Sequence, residues 1–356
     1  MDADAPAGLD GGPQCPIPIG DYRAVTIGHG GGGRLTQSLI CGMFLKALDN
    51  PALAKLADGA VLDIAGARLA FSTDSFVVSP LFFPGGDIGS LAVHGTINDL
   101  AMCGARPIAL SAGLILEEGL PMQDLWSIVC SMRAAAEAAG VPIVTGDTKV
   151  VERGKGDGVF INVSGIGHVA PGVEVAPSRV RPGDAVLING SIGDHGIAIM
   201  SLREGLEFET SRASDTAALH DLVQVMLEAA GPALHALRDP TRGGVASALN
   251  EIAAQAGVGI RIEERLLPID ETVRGACEIL GLDPLYVANE GKCIAFVAAD
   301  RAEAVLAAMR RHPLGACATI LGRVVSEHPR QVVMKSTIGG ERVVDLLSGE
   351  QLPRIC

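Results

Sequence analysis

The chain has 356 residues, 48% hydrophobic and 19% charged, which suits about two globular domains and excludes a disordered chain. With 28 Lys and Arg against 41 Asp and Glu the formal charge is −13, so a nonspecific nucleic-acid binder is excluded and an anionic ligand needs metal ions or backbone amides. Glycine supplies 45 residues against 8 Phe, 1 Trp and 2 Tyr, favouring sites built from backbone over aromatic stacking surfaces.

Residues 1–14 carry three Asp and no Lys or Arg, unlike the basic start of a signal peptide. Leu35, Leu39, Met43 and Ala47 recur every fourth residue and predict a helix to about Leu48, stopped by Asp49-Asn50-Pro51. Two β-rich runs, 60–64 and 68–73, meet at Ala65-Gly66-Ala67 like a hairpin, and Phe76–Ser79 follows. Asp87 is placed to cap a helix over 88–103. A strand over 106–116, a helix opened by Pro121, and strands over 141–145 and 159–169 complete the first half.

Ala170-Pro171-Gly172 and Arg181-Pro182-Gly183-Asp184 mark a domain boundary near residue 172. Beyond it strand and helix alternate: strands over 185–189, 258–263, 293–299 and 318–325, and helices from Asp194, between 215 and 236, from Gly243, near 270–280 and over 301–311. The final LLSGEQLPRIC has no periodicity and reads as a mobile tail, with Gly349 as hinge and Pro353 as stiffener. The eight cysteines form no CxxC pair, and no apolar run approaches the ~18 residues of a membrane span, so the expected compartment is the cytoplasm.

GHGGGG at 28–33 formally satisfies GxGxxG, but the hairpin that follows is not a Rossmann crossover, and Arg34-Leu35 replaces the Lys-Ser/Thr of a Walker loop. What remains is a flexible glycine stretch or a backbone-amide cradle for phosphates, with His29 as an added donor. Asp58, Asp74, Asp99 and Asp147 stand at turn-like positions; each alone is commonly a cap, but together they could converge on magnesium. Asn98-Asp99 would sit inside a small, apolar helix, where a carboxylate requires a partner. Lys149 after TGDT and Glu290 in VANEGK lie at strand edges. Asp239 and Arg242 in LRDPTRGG precede a helix, and His195 lies in NGSIGDHGI; both turns are either anion sites or structural. Cys356 ends the chain, where the α-carboxylate disfavours its thiolate unless Arg354 or a basic pocket offsets it.

Taken in order, GHGGGG, FSTDSFVVSPLFFPGGDIG, NDLAMCGA, GLILEEGLPM, TGDTKVVERG, LRDPTRGG, NEGK and the terminal LPRIC resemble the HypE family of hydrogenase maturation proteins from Ile27 to the end. These are carbamoyl dehydratases of the aminoimidazole ribonucleotide synthetase-like (PurM-like) superfamily. The resemblance implies an α/β (α+β) fold of two domains: an N-terminal extension over 1–26, an ATP-binding domain over 27–172 that dimerises through its sheet, an α/β domain over 173–345, and a flexible tail over 346–356. It implies ATP and Mg2+ as cofactors, with Asp58, Asp74, Asp99 and Asp147 at the metal and phosphates. His29, Gly30, Gly31, Gly32, Gly33, Asn98, Gly146, Asp239 and Arg242 join Asp74, Asp99 and Asp147 in the nucleotide-binding set. Cys356 would accept a carbamoyl group from the carbamoyltransferase HypF, Lys149 and Glu290 would assist its dehydration to a thiocyanate, and cyanide would pass to iron on a HypC-HypD complex. The alternatives are another small-molecule kinase or synthetase of the superfamily, which would not need Cys356, and a noncatalytic cysteine-tail carrier, which would not need the aspartates.

Overall fold

The computed structural model describes residues 24–48, 50–205, 212–347, 352 and 355–356. Most of the N-terminal extension, Asp49, Gly349, Pro353 and Arg354 lie outside the described residues. The predicted first helix is α1 (Arg34–Leu39) and α2 (Leu45–Ala47), joined by a π-helical turn over Ile40–Phe44.

The first sheet runs in the order β1-β2-β7-β5-β6, with β1 (Ala60–Ile64), β2 (Ala67–Phe76), β5 (Ala105–Glu117), β6 (Ile143–Val151) and β7 (Val159–Val169). Only β5 and β6 pair in parallel. The β1–β2 turn is Ala65-Gly66, both with positive φ, the geometry whose twist suits a two-residue hairpin. After the short ribbon β3 (Phe82–Phe83) and β4 (Gly86–Asp87) comes α3 (Ile88–Met102), capped as expected by Asp87, which accepts from the backbone N–H groups of Gly89 and Ser90. It packs on the inner face of the sheet and against α4 (Met122–Ala139). Strand alternation points Ala70, Ser72, Asp74 and Phe76 inward and leaves Phe71, Thr73 and Ser75 on the opposite face. On that outer face Phe71, Ile115 and Ile166 remain 45%, 44% and 40% exposed.

The second sheet has seven strands in the order β14-β13-β10-β12-β8-β11-β9. These are β8 (Ala185–Ile188), β9 (Leu234–Arg238), β10 (Gly259–Glu263), β11 (Ile294–Val297), β12 (Thr319–Val325), β13 (Val332–Lys335) and β14 (Glu341–Val344). Helices α5 (Asp194–Arg203), α6 (His220–Ala230), α7 (Gly244–Ala256), α8 (Glu271–Leu280) and α9 (Ala302–Arg311) pack around it, and Phe296 on β11 is fully buried in its core. Two sequence expectations differ here. Helix was expected to reach residue 236, but Gly231-Pro232 ends α6, and the buried LHALR that follows becomes the edge strand β9. The short strands β13 and β14 had no signal strong enough to predict them.

A segment over 212–219 joins the halves. Ser214 N–H donates to Pro84 O, and Asn98 of α3 accepts from Leu219 N–H while donating to Ala217 O and Glu290 O. Both ends of the Asn98 amide are thereby committed to main chain, so the residue expected at the nucleotide serves as a strut between domains.

Candidate active site

Three carboxylates meet where the two sheets approach. Asp58 precedes β1, Asp99 lies in α3 and Asp239 follows β9; one ligand oxygen from each lies within 4.8 Å of the others. Ser72 Oγ sits 2.7 Å from Asp99 Oδ2 and 2.9 Å from the backbone oxygen of Asp58, joining the two elements. Arg238, next to Asp239, pairs with Asp58 and Glu251. Burial pushes the Asp58 carboxyl up to about 8, against the pull of Arg238. Asp99 is raised well above the usual range by burial and then by Asp239, Asp74 and Asp58, and Asp239 is raised by burial against Arg238. Asp74, on the inner face of β2, is raised by burial as well, with the Arg242 guanidinium 4.0 Å away opposing it.

These groups crowd negative charge into a poorly solvated space that two guanidinium groups only partly neutralise. A cluster of hard oxygen donors under such repulsion fits a magnesium ion. Beside it, a cavity of 730 Å3 runs beneath α1 and α2, with Ile40, Phe44 and Phe71 on its apolar wall and Asp58, Arg238 and Glu251 at its polar end. Its volume is that of a small-molecule site.

The glycine stretch closes over this region. Ile27–Gly30 form a single 3-10 turn, and Gly32 takes φ +73 with its Cα so close to Arg242 that a Cβ would lie 2.9 Å from the Arg242 backbone oxygen. Arg242 Nη1 donates to Gly30 O at 3.4 Å, and Arg34 N–H donates to Leu347 O. His29 Nδ1 lies within hydrogen-bond reach of Thr26. Gly30 and Gly31 thus lie beside the DPTRGG turn, while Gly33 packs against Leu347.

The end of the chain is seated in the same cleft. Ile355 is 3% exposed and belongs to the core built on α3 and α4, with Ala288 and Ile199. Its carbonyl accepts from His195 Nε2 at 2.8 Å. Burial pushes the Cys356 thiol up against the pull of Arg242, with the Glu290, Asp74 and Asp239 carboxylates adding to the rise. Glu290 is 2% exposed, and its Oε1 is buried with no hydrogen-bond partner. Burial, then Asp215 and Asp74, hold its carboxyl well above the ordinary range, opposed by Arg242.

Asp147 and Lys149 stand apart from this assembly. Asp74 pairs with Val163, Val163 with Ala112, and Ala112 with Gly146, so β6 is three strands from Asp74, roughly 14 Å at ~4.8 Å per strand. Asp147 pairs with Gly113 and leaves the sheet on the outer face, opposite Asp74. It binds Lys149 Nζ at 2.7 Å, which holds its carboxyl below the usual range. Gly146 is required where it stands: a Cβ there would lie 2.3 Å from Ala112 O. Four residues that sequence reasoning left without a role also border the cleft: Ser72, Arg238, Asp215 and Lys292. Asp215 Oδ2 binds Lys292 Nζ at 2.9 Å and its Oδ1 accepts from Glu290 N–H. Arg238 stood inside LRDPTRGG and could have been found there; Asp215 carried no motif.

This two-sheet arrangement defines an AIR synthase related protein: residues 56–169 match that family's N-terminal domain and 181–335 its C-terminal domain. Carbamoyl dehydratase HypE of Azotobacter vinelandii is 60% identical over 333 residues, spanning 94% of this chain and 97% of the relative. The crystal structure of a HypE-HypF complex superposes with TM-score 0.83 at 49% identity over 87% of this chain and 100% of the other. HypE in complex with ATP superposes with TM-score 0.79 at 51% identity over 94% and 100%. The chain belongs to the HypE family of carbamoyl dehydratases, and it is an enzyme of that type. No helix among the described residues is long and apolar enough to cross a membrane.

Proposed function

We propose that the protein uses ATP to dehydrate a carbamoyl group carried on its own Cys356, yielding the S-cyanate that supplies cyanide for hydrogenase iron. The observation that carries this reading is the seat of Cys356, held by Ile355 and His195 beside Arg242 and the buried Glu290. ATP takes the 730 Å3 cavity with its phosphates toward Asp58, Asp99 and Asp239. The thiocarboxamide oxygen attacks the γ-phosphorus and ADP leaves. The C–O bond then breaks with departure of phosphate while nitrogen gives up two protons and the C≡N bond forms.

The chain's own groups divide the work. Asp58, Asp99 and Asp239 would hold Mg2+, with Asp74 adjacent, and the ion would neutralise charge on the transferring phosphoryl group. Arg242 offsets negative charge beside the sulfur. Glu290, buried and unpaired at Oε1, accepts a proton from nitrogen. An amide oxygen is a poor leaving group until phosphorylated, which is why the carboxylates and the tail must share one cleft. The carbamoyl donor is HypF and the cyanide acceptor is iron on a HypC-HypD complex, all in the cytoplasm. A superfamily kinase would not need a seated terminal cysteine. Mass spectrometry of the C-terminal peptide, after carbamoylation by a HypF system, tests the reading: loss of one water per tail is expected with ATP and Mg2+ and none without either.

Lys149 and Asp147 enter through a second copy. The exposed Phe71, Ile115 and Ile166 on the outer face give two N-terminal sheets an apolar surface to share, and the same face carries Asp147 and Lys149. In a stacking of two copies with their strand orders running in opposite directions, β6 of one would lie toward the β1–β2 edge of the other, and Lys149 would assist dehydration in the partner's site. Light scattering should give a homodimer at micromolar concentration. A mixed dimer of a Lys149→Ala chain and a Cys356→Ala chain should dehydrate the one remaining tail at about the wild-type rate, whereas the Lys149→Ala homodimer should be slower by about 10²-fold. A mixed dimer as slow as that homodimer would place Lys149 in its own subunit's site.

A further inference from the structure

The tail touches the body through a side chain to which the reaction above gives no part. His195 opens α5 and is fully buried, with the Phe83 ring edge-on at 5.6 Å. Its Nε2 lies 2.8 Å from Ile355 O, and its Nδ1 lies 2.8 Å from Ser214 Oγ. A carbonyl only accepts, so Nε2 carries the proton, and burial keeps the ring neutral. Nδ1 must then accept from the Ser214 hydroxyl. Ser214 Oγ in turn accepts from Thr216 N–H at 3.2 Å, and Thr216 Oγ1 meets His94 Nδ1 of α3 at 3.1 Å.

We propose that His195 is a positioning residue that sets the depth of Cys356 in the cleft by tying the Ile355 carbonyl to the segment over 212–219. This rests on the reading of Cys356 as the group carrier. The consequence is geometric. Next to Ser214 stands Asp215, which binds the Glu290 backbone and Lys292, and Asn98 fixes the end of the same segment, one residue from Asp99. One chain of hydrogen bonds therefore registers the sulfur against both the proton acceptor and the carboxylate cluster. Ile355 supplies apolar anchoring, but a side chain in an apolar pocket can slide and rotate. A directed bond to the carbonyl of the same residue removes that freedom. Because the contact is to main chain, it would serve a free, a carbamoylated or a cyanated tail alike.

The test uses the full chain with His195→Ala and His195→Gln, the latter keeping an N–H donor at similar reach. The first readout is alkylation of Cys356 by iodoacetamide, followed by mass spectrometry, with the exposed Cys41 and Cys317 as internal references. His195→Ala is expected to raise the Cys356 rate about 10-fold while the references stay constant, and His195→Gln to return it to within about threefold of wild type. The second readout is dehydration of the carbamoylated tail, where His195→Ala should lower kcat by about 10²-fold with KM for ATP within about twofold, as expected for a misplaced reacting group. Unchanged alkylation in His195→Ala, or no restoration by glutamine, overturns the proposal. Should the wild-type tail never lose water, the proposed function fails while the alkylation series still decides whether His195 positions the tail.

Discussion

Replacing Cys356 by alanine is expected to abolish S-cyanate formation while leaving the melting temperature within about 2 °C and ATP affinity within about twofold of wild type. The sulfur sits at the margin of its apolar cluster, so its removal opens no enclosed cavity, and Ile355 with its carbonyl contact stays in place. Arg242, whose guanidinium lies near the sulfur, is the group most affected. Asp74, 4.0 Å away, remains to pair with it. The check is mass spectrometry of the terminal peptide alongside thermal unfolding and a nucleotide titration. A water-loss product on any other residue would move the acceptor elsewhere.

Glu290→Gln should be the most damaging change that leaves the tail intact. Glutamine has nearly the same shape, and the neutral amide suits the buried site better than a carboxylate, so the folded state should be as stable as wild type or more so. It has no lone pair basic enough to take a proton from the phosphorylated thiocarboxamide. Dehydration should fall by about 10² to 10⁴-fold, the usual worth of a positioned base, with the KM for ATP little changed. Single-turnover assays on pre-carbamoylated protein separate this step from loading. Wild-type turnover by the glutamine variant would leave another group as the acceptor.

The sequence was most informative where one face of an element is buried. The strand over 159–169 alternates along its whole length, and it is β7 to the residue. Asp87 and the small-residue helix after it were equally plain, because a cap is a local interaction. Strand β9 was obscured because His235, Ala236 and Leu237 are all buried, which removes the alternation that marks a strand. Among the aspartates, Asp58 and Asp99 come together with Asp239, which stood in a motif read for anions, and Asp74 lies 4.0 Å from Arg242 of that same motif. Asp147 looked equivalent to these in sequence. Which face of the sheet it leaves from depends on the parallel pairing of β5 with β6, a long-range fact that no local pattern encodes. The seat of the tail was invisible for a similar reason: one isoleucine and one carbonyl make the contact, and neither repeats.

Seven residues separate Leu347, which accepts from Arg34 N–H, from the buried Ile355. A ligand tethered so closely is presented to its pocket at an effective concentration of about millimolar, whatever the protein concentration. The pocket around Ile355 therefore needs only feeble intrinsic affinity to be filled most of the time, and a feeble site releases its occupant quickly. An untethered peptide ending in the same residues would have to approach millimolar levels to displace the resident one, so such peptides should be poor inhibitors. Partner proteins that capture the departing tail face no such handicap, since each compete only with an intramolecular association of modest strength.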